Sequence, residues 1–109
     1  METKIFSALA EPTRLRMVEM LKDGPLSVGD IAERLSLRQP QASKHLRVLL
    51  EAGLVEVEAQ ANRRNYKLRT EPLEVLDTWL EAYRKIWSER FDNLDDYLRQ
   101  LQSKDNERP

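Results

Sequence analysis

The stretch SVGDIAERLSLRQPQASKHLRVLLEAGLVEVEAQANRRNYKL, residues 27–68, decides the fold. Two short segments with helical spacing of apolar residues are joined by a polar turn at residues 36–38, and Gly53 ends the second segment. Two segments of alternating polarity follow, and they predict a β-hairpin with Arg63 and Arg64 at its tip. The order helix, turn, helix, strand, basic tip, strand predicts a winged helix-turn-helix, which is typical of proteins that grip a DNA duplex.

The flanking residues predict three further helices. Residues 3–9 and 12–22 carry apolar residues at helical spacing, and Pro12 suits a first helical turn, where its missing N–H costs nothing. Residues 72–102 predict one long C-terminal helix. We therefore predict a mainly α fold with about five helices and a two-stranded β-hairpin wing, built as a single domain over residues 1–109.

The long C-terminal helix predicts a dimer. Its apolar residues are spaced 4-3-4-4-3-4-3, and they are Leu76, Leu80, Tyr83, Trp87, Phe91, Leu94, Leu98 and Leu101. A helix of about 45 Å is too long to bury this stripe against a body of about seventy residues. We expect a second copy to cover the surplus, with help from the first helix. The predicted interface residues are Ile5, Leu76, Leu80, Tyr83, Trp87 and Leu94.

The net charge of −1 hides an uneven distribution. Residues 34–69 contain eight basic and three acidic side chains, whereas residues 71–109 contain six basic and ten acidic side chains. Attraction to phosphates depends on where charge lies rather than on the total. The distribution predicts a DNA-binding face in the middle of the chain and keeps the last helix away from the duplex.

The second helix of the helix-turn-helix supplies the predicted base contacts. Its spacing turns Ala42, Leu46, Leu49 and Leu50 inward and a polar face outward. No acidic residue occurs between residues 38 and 50, whereas an ordinary solvated face usually carries several. Glutamine pairs with adenine edges, and lysine and arginine suit guanine edges or phosphates. The predicted DNA-binding residues are Gln39, Gln41, Ser43, Lys44 and Arg47, with Arg63 and Arg64 in the wing suiting a minor groove or its phosphates.

Several functions are not expected from this composition. The chain has no cysteine, which excludes disulfides and thiolate metal sites. No nucleophile–base pair or glycine-rich phosphate loop is present, so we expect no catalytic residues, no cofactor and no enzyme. No apolar run is long enough to span a membrane and no signal peptide is evident, so a cytoplasmic protein is predicted. The single histidine, His45, is expected to be structural.

Two alternatives to a plain DNA-binding regulator stay open. The winged helix could serve protein dimerisation without binding DNA, or the protein could release DNA when an unknown small-molecule effector binds among Trp79, Tyr83 and Trp87. Double-stranded DNA and a second copy of the chain are the partners we favour. The residues name neither the operator nor the regulated genes.

The chain resembles the ArsR/SmtB family of winged helix-turn-helix repressors. The resemblance lies in the segments LAEPTRLR (9–16), IAERL (31–35), QPQASKHL (39–46) and LLEAGLV (49–55). It implies a homodimer joined through its first and last helices that binds an inverted repeat and blocks transcription. Ser27 and Gly29 stand where many members carry metal-binding cysteines, so no metal site is expected. The long last helix with its Trp and Tyr residues resembles the metal-independent, SdpR-like branch.

Overall fold

The computed structural model describes residues 3–60 and 62–106. Its elements, in chain order, are α1 (Lys4–Leu9), α2 (Pro12–Leu21), β1 (Leu26–Ser27), α3 (Val28–Arg34), α4 (Gln39–Glu51), β2 (Val55–Gln60), β3 (Arg63–Leu68) and α5 (Thr70–Asn106). Five helices and an antiparallel hairpin agree with the predicted mainly α, winged helix-turn-helix fold.

The sheet has one strand more than was predicted. Strand β3 lies in the middle, pairing with β2 on one side and with the two-residue β1 on the other, all antiparallel. Leu26 pairs with Tyr66, and Ser27 pairs with Asn65. The prediction of a two-stranded wing was therefore incomplete, because two residues are too few to show the alternating pattern that identifies a strand.

The core is apolar and lies between the first four helices and the base of the sheet. Met17, Ile31, Leu46, Leu54 and Val55 are among its fully buried side chains, and none of the described buried residues is polar or charged. Leu54 and Val55 connect the end of α4 to β2, so the recognition segment and the wing are anchored in the same core. Their relative position is thereby fixed by packing rather than by a flexible link.

The chain divides into two compact units, Met1–Val75 and Leu76–Pro109. The first unit contains the helix-turn-helix and the sheet, and the second consists of the continuation of α5. The prediction of one domain over residues 1–109 stays a prediction.

Helix α5 is longer than predicted. It spans Thr70–Asn106 instead of residues 72–102, and its 37 residues correspond to a length of about 55 Å. It begins before Pro72 because a proline in the first turn lacks only an N–H that has no helical partner there. Among the described residues, no helix has both the length and the apolar character needed to cross a membrane.

Candidate DNA interface

The start of α3 and the turn after it are fixed by backbone capping. The Asp30 N–H donates to Ser27 Oγ at 3.2 Å, so Ser27 caps the N-terminus of α3. At the other end Ser36 adopts φ 55°, and the Leu37 N–H donates to the Ala32 carbonyl at 2.8 Å. The left-handed Ser36 and this hydrogen bond form a Schellman turn, which ends α3 and sets the direction in which α4 begins.

Helix α4 has two sharply different faces. Ala42, Leu46 and Leu49 are completely buried, and their spacing places them on one side of the helix. The five predicted contact residues are all exposed on the rest of its surface: Gln39, Gln41, Ser43, Lys44 and Arg47. Leu50 was expected to point inward but is 41 % exposed, because Leu46 and Leu49 already fill the inner face.

The first turn of α4 positions its two glutamines differently. The Arg38 N–H donates to Gln41 Oε1 at 3.2 Å, so the amide oxygen of Gln41 caps the helix and its Nε2 remains available as a donor. The Nε2 of Gln39 lies beside Gly29, 3.5 Å from where a Cβ on that residue would stand. This is an ordinary van der Waals distance, and it places the Gln39 side chain next to the start of α3.

Arg38 is a candidate contact that the sequence prediction omitted. It directly precedes α4, its side chain is exposed, and no carboxylate pairs with it in the part of the chain that the structure describes. The signal was present, since Arg38 is a cation at the N-terminal end of the recognition helix, which is the end that enters a major groove. Arg38 therefore adds an exposed cation at the N-terminal end of α4.

Arg47 is paired with a carboxylate. Its Nε lies 3.2 Å from Glu51 Oε1, and both side chains are largely exposed. The spacing of four residues would have revealed this pair in the sequence. Only Nε of Arg47 is paired, so its other guanidinium N–H groups can still donate to a phosphate, but the negative charge of Glu51 weakens the positive potential at the end of the recognition face.

Lys67 contributes less positive potential than the sequence count assumed. Its Nζ lies 3.0 Å from Glu58 and 3.1 Å from Glu56, two carboxylates on the neighbouring strand. The hydrogen bonds that the Lys67 ammonium donates, to Glu58 first and then to Glu56, raise the pKa of Lys67. The three side chains together carry a net negative charge, so the basic surface does not extend over this part of the sheet.

Arg63 and Arg64 begin β3 instead of occupying the tip of the hairpin. Arg63 pairs with Gln60, and Arg64 pairs with Ala59. Consecutive strand residues point to opposite faces of a sheet, so the two guanidinium groups start out on opposite sides of the wing. Neither has a carboxylate partner among residues 3–60 and 62–106.

His45 lies at the edge of the buried face of α4, in agreement with its expected structural role. Its Nδ1 is 3.6 Å from Glu11 Oε2, and the same carboxylate oxygen accepts the Arg14 N–H at 2.8 Å at the start of α2. That backbone hydrogen bond is the main reason why the pKa of Glu11 is lowered, and His45 adds to the effect. The Arg14 Nε in turn donates to the Ala8 carbonyl at 2.7 Å, so one cluster ties α1, α2 and α4 together.

The predicted interface residues differ in exposure. Leu76 and Leu80 are half-buried and Tyr83, Trp87 and Leu94 are exposed, whereas Ile5 is only 7 % exposed. Within the second unit, the rings of Trp79 and Tyr83 lie 4.8 Å apart. An apolar surface of this extent on one helix marks an interaction site.

These features define a class of protein. Helix α4 packs its inner face into the core and presents an acid-free outer face up to Glu51. The antiparallel wing beside it carries two arginines that have no carboxylate partner among the described residues. This is the architecture of a winged-helix DNA-binding regulator.

Known proteins identify the family. A helix-turn-helix domain model matches residues 9–58. The transcriptional repressor SdpR of Bacillus subtilis is 32 % identical over 70 % of this chain and 84 % of its own length. A crystal structure of the ArsR family transcriptional regulator RHA00566 superposes with a TM-score of 0.68 at 29 % identity, covering 79 % of this chain and 89 % of that one. The homodimeric winged helix-turn-helix DNA-binding domain of Mb0332 from Mycobacterium bovis has a TM-score of 0.64 at 26 % identity, covering 76 % of this chain and 77 % of that domain.

The chain belongs to the ArsR/SmtB family of winged-helix transcriptional regulators. The family consists of DNA-binding regulators and not of enzymes, which confirms the expected functional class.

Proposed function

We propose that the protein is a homodimeric repressor in the cytoplasm that binds an inverted-repeat operator in double-stranded DNA. Each protomer inserts the start of α4 into one major groove. Gln39, Gln41 and Ser43 face base edges there, while Lys44 and Arg47 contact bases or phosphates. The two half-sites lie about 34–36 Å apart or at a multiple of that spacing.

One observation carries this proposal: the outer face of α4 is exposed and free of carboxylates up to Glu51, while Ala42, Leu46 and Leu49 on its inner face are completely buried. A winged helix used only for protein dimerisation would gain nothing from such a face. The mixed charges expected on an ordinary solvated helix are missing where a DNA duplex would lie. The alternative of a dimerisation module without DNA binding is therefore the weaker one.

The wing makes the second contact. Arg63 and Arg64 are consecutive in β3, so their side chains leave opposite faces of the sheet. We therefore assign one of them to the minor groove and the other to its flanking phosphates. Ser27, Val28 and Asp30 line a groove of about 440 Å³ with Asn62 and the two arginines, so the wing stands next to the start of α3.

Dimerisation is assigned to the apolar residues of the predicted interface. Tyr83, Trp87 and Leu94 are its exposed members, and burying them against a second copy removes apolar surface from water. Ile5, the remaining residue predicted from α1, is already buried within one chain, whereas its neighbour Phe6 is exposed.

A direct binding experiment tests this function. Purified protein is titrated against a fluorescent duplex from its own promoter region and against a shuffled duplex of equal length. Tighter binding to the promoter duplex, with two protomers per duplex, is the expected result. Equal weak binding to both duplexes would contradict sequence-specific regulation. Release by a small-molecule effector stays a prediction, and the same titration in the presence of cell extract checks it.

A further inference from the structure

The first turn of α4 holds the side-chain amide of Gln41 in one orientation. The Arg38 N–H donates to Gln41 Oε1 at 3.2 Å. The Arg38 carbonyl in turn accepts the backbone N–H groups of Gln41 and Ala42, each at 3.0 Å. The backbone and the side chain of Gln41 are therefore both bonded to Arg38, which has the extended conformation of an N-cap residue.

The capping hydrogen bond determines which end of the Gln41 amide faces the helix. A backbone N–H is a donor, so it needs the carbonyl oxygen of a glutamine amide and cannot bond to the NH2 group. The oxygen and the nitrogen of a planar amide point in different directions, so turning Oε1 toward Arg38 turns Nε2 away from it. Gln41 is exposed, and its Nε2 has no acceptor among the residues that the structure describes. Gln41 therefore presents two N–H donors to the outside, whereas its acceptor is engaged by the helix.

An amide that presents only donors distinguishes between the bases of a major groove. Guanine has two neighbouring acceptors there, N7 and O6. Thymine has O4 alone, and N7 of adenine lies next to the N6 amino group, which is itself a donor. The usual pairing of glutamine with adenine requires the amide oxygen to accept from N6. In Gln41 that oxygen already accepts the Arg38 N–H, so guanine is the base that fits best.

We propose that Gln41 reads a guanine in each half-site through its Nε2, instead of the adenine that glutamine usually reads. This inference rests on the DNA-binding function proposed above and names one base of the operator. The capping hydrogen bond holds the amide in place before DNA binds, so little side-chain freedom is lost when the contact forms. Gln41 is then both a cap of the recognition helix and a determinant of its sequence preference.

Gln39 differs from Gln41 in this respect. Its side chain lies next to Gly29 at the start of α3, and no hydrogen bond fixes its amide within the part of the chain that the structure describes. Both ends of the Gln39 amide can therefore turn toward a base edge, as pairing with adenine requires. The two glutamines are assigned different bases because only one of them caps the helix.

Selection from a pool of duplexes with a randomised central segment tests the assignment. Duplexes bound by the full-length chain are recovered and sequenced, and the base preference is obtained at each position. The wild type should favour guanine at one base pair in each half-site by about fivefold or more. The Gln41→Ala chain should lose this preference and keep those at the other positions. A residue that only caps the helix would instead weaken binding to all sequences equally.

A second variant keeps the cap and changes only the outward end of the side chain. In Gln41→Glu one carboxylate oxygen still accepts the Arg38 N–H, since glutamate is a capping-box residue at this position. The other oxygen is an acceptor, which suits the N4 amino group of cytosine. The preference at the same base pair should therefore change from guanine to cytosine. The Gln100→Glu chain carries the same chemical change on α5 and should keep the wild-type preference at every position.

The outcomes separate this inference from the function on which it rests. If the wild type enriches no sequence, the proposed sequence-specific regulator is wrong, and the guanine assignment falls with it. If the wild type enriches a sequence but Gln41→Ala alters no position, or alters one at which adenine or thymine was favoured, only the guanine assignment is overturned. Loss of guanine in Gln41→Ala, together with cytosine in Gln41→Glu, supports it.

Discussion

Replacing both Lys44 and Arg47 with alanine should weaken DNA binding and make it less sensitive to salt. The two side chains are exposed on the outer face of α4, and Ala42, Leu46 and Leu49 on the buried face are untouched. Folding should therefore be preserved. What is lost is the release of condensed counterions that accompanies each phosphate contact.

The size of the effect follows from the number of charges. A dimer loses four cations, and each phosphate contact contributes about 0.9 to the slope of log K against log salt, so the slope should fall in magnitude by about 3.6. Raising the salt from about 50 to about 200 mM should then weaken the wild type about 150-fold more than the variant. Fluorescence anisotropy with a labelled promoter duplex at four or five salt concentrations measures both slopes.

The matched control removes the same charge elsewhere. Arg16 and Lys22 are exposed on and just after α2 and are not among the predicted contacts. An Arg16→Ala, Lys22→Ala variant should keep the wild-type slope. If the Lys44, Arg47 variant had the wild-type slope too, α4 would not contact phosphates, and the assignment of the recognition face would be wrong.

Three further substitutions probe contacts that the structure revealed. The Glu51→Gln substitution removes an exposed ion pair with Arg47 that is worth at most about 1 kcal/mol. Operator affinity should therefore rise by up to about fivefold per half-site in anisotropy titrations. Weaker binding would mean that the ion pair holds Arg47 in the position from which it binds DNA. The Ser36→Gly substitution should raise the free energy of unfolding by about 0.5 kcal/mol in urea melts. Relief of roughly 1–2 kcal/mol of strain in the left-handed backbone conformation exceeds the roughly 0.5–1 kcal/mol entropic cost of glycine. A loss of stability would refute that strain. The Glu11→Gln variant should be less stable than the wild type at neutral pH. A carboxylate whose pKa is lowered on folding stabilises the fold at pH values above its ordinary pKa of 4.5, and this stabilisation is lost as the pH falls through the folded-state pKa. A difference in stability that persists in acid would point to a cause other than ionisation.

The exposed surface of α4 was predictable from sequence because a helix has a fixed period. Once Ala42, Leu46 and Leu49 are assigned to the core, the directions of Gln39, Lys44 and Arg47 follow from geometry. The ends of α3 and α4 were also predictable from nearby residues, since Gly53 and the turn at residues 36–38 have conformational preferences that end a helix. These features needed no knowledge of distant residues.

The sequence could not show in the same way which cations are paired with carboxylates on other segments. Lys67 was counted as part of a basic face, but Glu56 and Glu58 on β2 hold it, and only the register of the two strands brings them together. The two-residue β1 likewise exists only because β3 offers it an open edge. The Glu11–His45 contact joins residues far apart in sequence, and packing of α2 against α4 creates it.

By itself the sequence determined the order of the five helices and the hairpin, the inward direction of Ala42, Leu46 and Leu49 on α4, and the family, because these depend on spacing along the chain. Only the tertiary structure decided which cations remain unpaired and which strands complete the sheet. An ion pair or a strand pair depends on distances between segments, and those distances are set when the core forms.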